Sequence, residues 1–358
     1  MTRFLLLLAV LFPAYLCAQS ATVSQFYAFP AGLNPAYVSA TDGTALNAGY
    51  RRQWGAIQEG IDVKFAAVST RLCKAPVGFG TFVSEAGESF YGYRRQEAGL
   101  QAGVFTGRRD RFSLHGGLRA AMGRQGIDFS KLVFTGQIDP VFGVQNGPSA
   151  LFLSAPDPLQ TFQLGFGAVA RGLTGGRKRE WPASLGFSID RIGTRQVSFL
   201  RNDEYKEVLR IQVHGSVTIP VKEVGIGSKS SPLYLNWVGR FENEGVLQRA
   251  TTGVVLQYNA ADLGFLYLWN KSPFAVRNTH SLAVALGIEV PLGERSNLHL
   301  QYAFDGTLSG LGFNAAQGAH ELIATFSLPQ ACLFPGKNNR GKTKCFNFGG
   351  KDYRSFLN

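Results

Sequence analysis

Between residues 297 and 328, Leu298, Leu300, Tyr302 and Phe304 alternate with Asn297, His299, Gln301, Ala303 and Asp305. A Gly/Ser/Asn-rich turn follows. Then Leu322, Ala324, Phe326 and Leu328 alternate with Glu321, Ile323, Thr325 and Ser327. Successive side chains of a strand point to opposite faces, so this stretch predicts two antiparallel strands, each with one apolar face. The rhythm recurs along most of the chain. Residues 44–54 put Leu46, Ala48 and Tyr50 on one face; 61–70 put Ile61, Val63, Phe65 and Ala67 opposite Asp62 and Lys64. Residues 111–123 set Phe112, Leu114, Leu118 and Ala120 against Ser113, His115, Gly117 and Arg119. Residues 206–219 set Leu209, Ile211, Val213 and Val217 against Arg210, Gln212, His214, Ser216 and Thr218. With further segments at 76–84, 93–105, 161–171, 181–190, 233–241, 251–258, 263–269 and 281–290, the tally is about fourteen strands, an even number as bacterial barrels have. Residues 124–160 break the rhythm with clustered Gly, Pro, Asp and Asn, as a long functional loop would.

An export signal precedes this pattern. Met1-Thr2-Arg3 is a positive n-region, residues 4–12 form an apolar core too short to span a bilayer, and cleavage is expected after Ala18. Cys17 stands beside Leu16, which is larger than a lipoprotein signal prefers at that place. Export together with two-faced strands predicts an all-β fold: a transmembrane antiparallel β-barrel at residues 44–328, in the cell outer membrane. A short pre-barrel segment at 19–43 and a basic periplasmic tail at 329–358 flank it.

Composition agrees. Charged residues make up 17% of the chain, against about 25% in soluble domains. Mean hydropathy is −0.01, and no segment after the signal supplies the roughly 20 consecutive apolar residues of a membrane helix. A soluble exported β-protein is the competing architecture, since a β-sandwich also alternates. Trp54, Trp181, Tyr234, Trp237, Tyr258, Trp269 and Tyr302 fall near strand ends, as aromatic girdles do.

The net charge of +12 favours anionic partners or headgroups. Its basic residues are scattered and form no nucleic-acid motif, and export removes the chain from nucleic acid. Lys64, Arg119, Arg171 and Arg210 on polar faces offer one alternative function, an anion-preferring diffusion porin. Catalysis is not expected: His115, His214 and His299 lie on separate strands, and no nucleophile context, metal-ligand spacing or phosphate loop accompanies them. No cofactor is implied. Past the signal the cysteines are Cys73, Cys332 and Cys345. An oxidising compartment favours a Cys332–Cys345 disulfide closing the basic segment between them, leaving Cys73 unpaired.

Ser24-Gln25-Phe26-Tyr27, Leu33-Asn34-Pro35-Ala36-Tyr37 and Tyr50-Arg51-Arg52-Gln53-Trp54 resemble the opening of PorP/SprF family proteins of the type IX secretion system. Ile127-Asp128-Phe129-Ser130-Lys131-Leu132 and the close from Tyr302-Ala303-Phe304-Asp305 through Gly318-Ala319-His320-Glu321 resemble it too. The tail with its cysteines departs from shorter members. The resemblance implies a non-enzymatic outer-membrane component that supports secretion or surface attachment of cargo, gliding adhesins among them. Its implied partners are the cargo's C-terminal signal domain and the periplasmic ring of the machine. On the motif matches, the expected partner-binding residues are Gln25, Phe26, Asn34, Pro35, Tyr37, Trp54, Asp128 and Phe129. Read singly, Asn34-Pro35 is a turn initiator, with entry into the lumen as its functional alternative, and Trp54 is an interfacial anchor.

Overall fold

The computed structural model describes residues 23–55, 60–88, 92–108, 112–128, 132–133, 137–139, 141–144, 158–174, 181–193, 207–226, 229–271, 278–293, 296–308, 317–329 and 331–333. Its strands are β1 (Thr44–Gln53), β2 (Ile61–Arg71), β3 (Val77–Glu88), β4 (Tyr93–Arg108), β5 (Phe112–Gly126), β6 (Ile138–Asp139), β7 (Gly143–Val144) and β8 (Leu159–Thr174). Then come β9 (Trp181–Ile192), β10 (Arg210–Ile226), β11 (Lys229–Glu244), β12 (Leu247–Tyr258), β13 (Ala261–Lys271), β14 (Thr279–Pro291), β15 (Asn297–Thr307) and β16 (Ala319–Leu328). All except β6 and β7 close into one antiparallel barrel of fourteen strands. Its seam is a ten-residue ladder between β1 and β16, from Thr44↔Leu328 to Gln53↔Ala319. The strands run from 10 to 17 residues, enough for the roughly 9–11 that cross a bilayer at a tilt. No helix of the described residues is long and apolar enough to cross one.

Burial is inverted relative to a soluble protein. Leu100, Leu118, Met122, Leu185 and Leu322 are exposed, whereas Arg51, His115, Arg119, Asp190, His214, Glu242 and Glu321 are buried. Apolar-out and polar-in alternation is the arrangement a lipid-facing wall requires. Three outward tyrosines mark one rim of that wall. The Tyr50 hydroxyl donates to Asp62 at 2.6 Å, Tyr302 meets His320 at 2.7 Å, and Tyr267 meets His280 at 2.5 Å. Each partner sits two residues beyond the tyrosine's direct cross-strand neighbour, toward the long-loop end. An aromatic ring in lipid with its hydroxyl held by a polar neighbour fits the membrane–water boundary.

At one end the connections are short, such as 227–228 and 259–260; at the other they include 127–158 and 193–209. Bacterial barrels keep short turns in the periplasm, so Thr44 and Leu328, at the short-turn end, face the periplasm. Within 127–158, β6 and β7 form a separate hairpin. Its turn is capped by Asp139, whose Oδ1 accepts the N–H groups of Val141 at 2.7 Å and Phe142 at 2.9 Å.

Two expectations are corrected. The apolar face of β2 points inward: Val63, Phe65 and Ala67 are buried, and Lys64 lies outside, 3.7 Å from Glu85. The lumen is apolar there because the Phe65 ring stacks on Phe29 at 4.0 Å instead of meeting water. The disulfide also differs, joining Cys73 to Cys332 with Cα atoms 5.2 Å apart. Just past β16 the chain folds back beside the β2–β3 turn, where the Leu333 N–H donates to the Arg71 carbonyl and the Cys73 N–H to the Leu333 carbonyl. That docking brings Cys332 to Cys73. Cys345 and most of the basic tail lie outside the described residues.

Candidate functional site: a lumen filled by the N-terminal segment

Residues 23–41 do not precede the barrel in space; they fill it. A 3₁₀ turn (Phe26–Ala28) leads to two single-turn helices, Pro30–Leu33 and Tyr37–Ala40. Pro30 opens the first of these helices, where its fixed φ suits the first turn and its missing N–H costs nothing. Nearly every residue of the segment is buried, with Gln25, Asn34, Ala36 and Val38 fully enclosed.

The wall makes room for it with glycine. Gly78, Gly103, Gly117 and Gly167 stand directly opposite one another on β3, β4, β5 and β8, forming a continuous row. A Cβ on Gly78 would lie 2.0 Å from the Val38 carbonyl oxygen, one on Gly117 2.4 Å from the Ala36 nitrogen, and one on Gly167 1.9 Å from Asn34 Oδ1. No side chain fits in those spaces, so the row is a trench for residues 34–39.

Polar wall side chains then satisfy the segment's backbone. Glu321 accepts the N–H groups of Ser24 and Gln25 at 2.8 and 2.9 Å. Asn47 donates to the Ala28 carbonyl, Gln101 and Arg119 to that of Ala31, Ser188 to that of Leu33 and Arg171 to that of Ala40. Buried main-chain groups need such partners, and here the barrel supplies what a regular secondary structure otherwise would.

Three anchors read side chains. Asn34 Nδ2 donates to the carbonyls of Ala168 and Phe187 at 3.1 and 2.9 Å and lies 3.2 Å from His214 Nε2. Tyr37 meets the other ring nitrogen of His214 at 3.3 Å, and Ser39 meets His115 Nδ1 at 3.0 Å. The third anchor is ionic: Arg51 bonds Ser24 Oγ at 2.6 Å, Asp305 at 2.9 Å and Glu321 at 3.2 Å, all buried. Phe26 is covered by the Arg240 guanidinium, 5.2 Å from the ring centre.

Toward the extracellular end five arginines of the lumen are matched by acids. Asp190 holds Arg119 at 2.9 Å and Arg210 at 3.0 Å; Glu207 holds Arg95 at 2.5 Å and Arg191 at 3.2 Å; Glu242 holds Arg249 at 2.7 Å. Arg191 also pairs with Glu244. Asp190 and Arg191 both face inward because the β8–β9 register slips between Leu164 and Phe166 while Arg191 takes a φ of 66°. This layer is close to electroneutral. Of the four cations that suggested an anion pathway, Arg119 and Arg210 are paired with Asp190, Arg171 caps Ala40, and Lys64 is outside.

The expected partner-binding residues therefore divide. Gln25, Phe26, Asn34, Pro35 and Tyr37 come together inside the lumen. Trp54 stands apart at the extracellular end of β1, its N–H bonded to the Gly318 carbonyl. Asp128 follows β5, its N–H bonded to the Gly92 carbonyl, and Phe129 lies outside the described residues. The wall residues Arg51, Asp305 and Glu321, the histidines' role and the glycine row were not foreseen. Their signal was present: glycine at inward-parity positions of four strands. Among the described residues no cluster of His, Cys, Asp and Glu is arranged to hold a metal ion.

Among solved structures, the fold is similar to a FadL homologue from Pseudomonas aeruginosa at 11% identity and a TM-score of 0.39, covering 82% of this chain and 91% of that one. It is also similar to the CymD monoaromatic hydrocarbon channel at 8% identity and a TM-score of 0.40, covering 84% and 91% of the two chains. The translocator domain of the autotransporter NalP from Neisseria meningitidis gives 12% identity and a TM-score of 0.36, covering 79% and 87%. Likeness at this level says nothing of function. A comparison with curated protein sequences finds no match. The family model described as type IX secretion system membrane protein PorP/SprF matches residues 16–326, nearly all of the barrel and its filling segment, and the chain belongs to that family.

Proposed function

We propose that this outer-membrane protein serves type IX secretion as a binding component and not as a diffusion channel, supporting the export or surface attachment of particular cargo proteins. Family membership supplies the secretion system. The observation that carries the rest is the filled lumen: residues 23–41 contact wall residues around the circumference, from Asn47 on β1 through His214 on β10 to Glu321 on β16. A barrel so filled offers its loops and turns as working surfaces. Cargo, through its C-terminal signal domain, is read here as meeting the extracellular side, where 127–158 and 193–209 lie. The short turns and the basic tail are read as meeting the periplasmic ring. Trp54, Asp128 and Phe129, at or near the extracellular end in the chain, are the expected residues that remain candidates for cargo contact.

An in-frame deletion followed by mass spectrometry of secreted and surface proteins tests this reading. Loss of one or a few proteins carrying type IX C-terminal signals is expected. An unchanged secretome with altered small-solute uptake would restore the porin.

A further inference from the structure

The wall that holds residues 23–41 is built to receive polypeptide. Its glycine row lets the segment lie directly on the wall: Gly78 and Gly117 face its main chain, and Gly103 and Gly167 its short side chains Ser39 and Asn34. Glu321, Asn47, Gln101, Arg119, Ser188 and Arg171 all address backbone N–H or carbonyl groups, contacts that any polypeptide could make. The resident segment leaves part of this capacity unused. Arg51 Nε, Arg119 Nε, Gln101 Oε1 and Asp305 Oδ1 of the wall are buried without a hydrogen-bond partner. Each such group carries a desolvation cost that its occupant does not offset. The segment also shares no β-ladder with the barrel, which closes through β1 and β16 without it, and the disulfide lies elsewhere. Among the described residues its covalent link to the wall is the run from Thr41 to Thr44.

We infer that the lumen is an exchangeable polypeptide-binding site, occupied in this state by the chain's own residues 23–41, and that a segment of another polypeptide takes their place. The inference rests on the proposed secretion role for its purpose. Its chemistry is independent: the ligand is a short peptide with an Asn-Pro turn, small residues beside that turn and aromatic residues on either side of it, as in the resident segment. A cavity of about 440 Å³ at the periplasmic end, lined by Tyr234, Gln257, Glu289 and Asn297, is the expected way in.

The test uses the full chain in detergent and a fluorescent synthetic peptide with the sequence of residues 23–41. Saturable binding to the wild-type protein is expected, strengthened about tenfold by Asn34→Ala, which weakens the resident segment but not the peptide; occupancy of the competent state sets apparent affinity. Tyr37→Ala serves the same purpose should the first variant fail to fold. Ser39→Cys with Gly103→Cys provides a lock, because a Cβ on Gly103 would lie 3.3 Å from that of Ser39, near disulfide range. The oxidised lock should abolish peptide binding, and Ser39→Cys alone should not. Failure of the peptide to bind either weakened variant, or equal binding to the locked and unlocked chains, overturns the inference. Because it is read on purified protein, this result is independent of whether the deletion strain loses cargo.

Discussion

Arg51 and Asp305 meet at 2.9 Å inside the barrel, across its seam, and Arg51 also holds Glu321. The same two carboxylates grip Ser24, so the ion cluster that spans β1, β15 and β16 is also the upper anchor of the filling segment. Breaking a buried pair by removing one partner typically costs about 3–5 kcal/mol, because it strands the other charge. Arg51→Ala should therefore lower the melting temperature and release the segment's N-terminal end. Circular dichroism reads the first effect, and maleimide labelling of a Ser24→Cys reporter reads the second. Unchanged labelling would show that the cluster serves the wall alone.

Gly117→Val tests the trench. A Cβ there would meet the Pro35–Ala36 peptide at 2.4 Å, and that is backbone, which cannot swing away. The barrel ladder does not depend on this position's inner face. The variant is expected to keep the heat-modifiable mobility of a folded barrel on gels while residues 34–39 become accessible to protease. A protected segment would refute the trench.

The Cys73–Cys332 bond makes a prediction that separates it from the alternative pairing. It closes a span of 259 residues, and the chain-entropy model assigns such a loop about 5 kcal/mol. Cys332→Ser and Cys73→Ser should each lower the unfolding temperature by a similar amount. Cys345→Ser should leave it near wild type. A destabilised Cys345→Ser protein would return the pairing to the tail.

Asp139 gives the extracellular hairpin a pH dependence. The backbone N–H groups of Phe142 and Val141 hold its carboxyl below the usual carboxylate range. A group whose folded pKa is depressed contributes stability that is present above its unfolded pKa, near 4, and lost as pH falls through the folded value. The protection of the Val141 and Phe142 amides, measured as the exchange rate relative to the intrinsic rate at each pH, should be present at neutral pH and lost only in acid. Asp139→Asn should flatten this dependence, and a profile unaltered by that change would assign it to another group.

The strand pattern was legible because a membrane wall imposes a strict period of two. In β5, β8 and β15 the outward and inward faces follow it. It misled at β2, where the rule that apolar faces meet lipid gave way to contact between Phe65 and Phe29. Alternation tells which residues share a face, not what lies on the other side of it. The filling segment was harder to read. Its turns are local, and much of its burial comes from residues far along the chain, such as Glu321 for Ser24 and His214 for Asn34. The Asn34-Pro35 motif was visible, with lumen entry as one alternative, but its partners depended on closure of the barrel. The disulfide failed for the same reason: proximity in sequence favoured Cys345, while docking beside Arg71 and Leu72 favoured Cys73.

The claim that residues 23–41 close the lumen, so that the protein acts by binding, is tested most directly by conductance of the purified full chain in planar bilayers. The wild type should form no stable open channel, and current should appear only when the segment is dislodged, as in Gly117→Val. Steady, anion-selective conductance from the unaltered protein would contradict it.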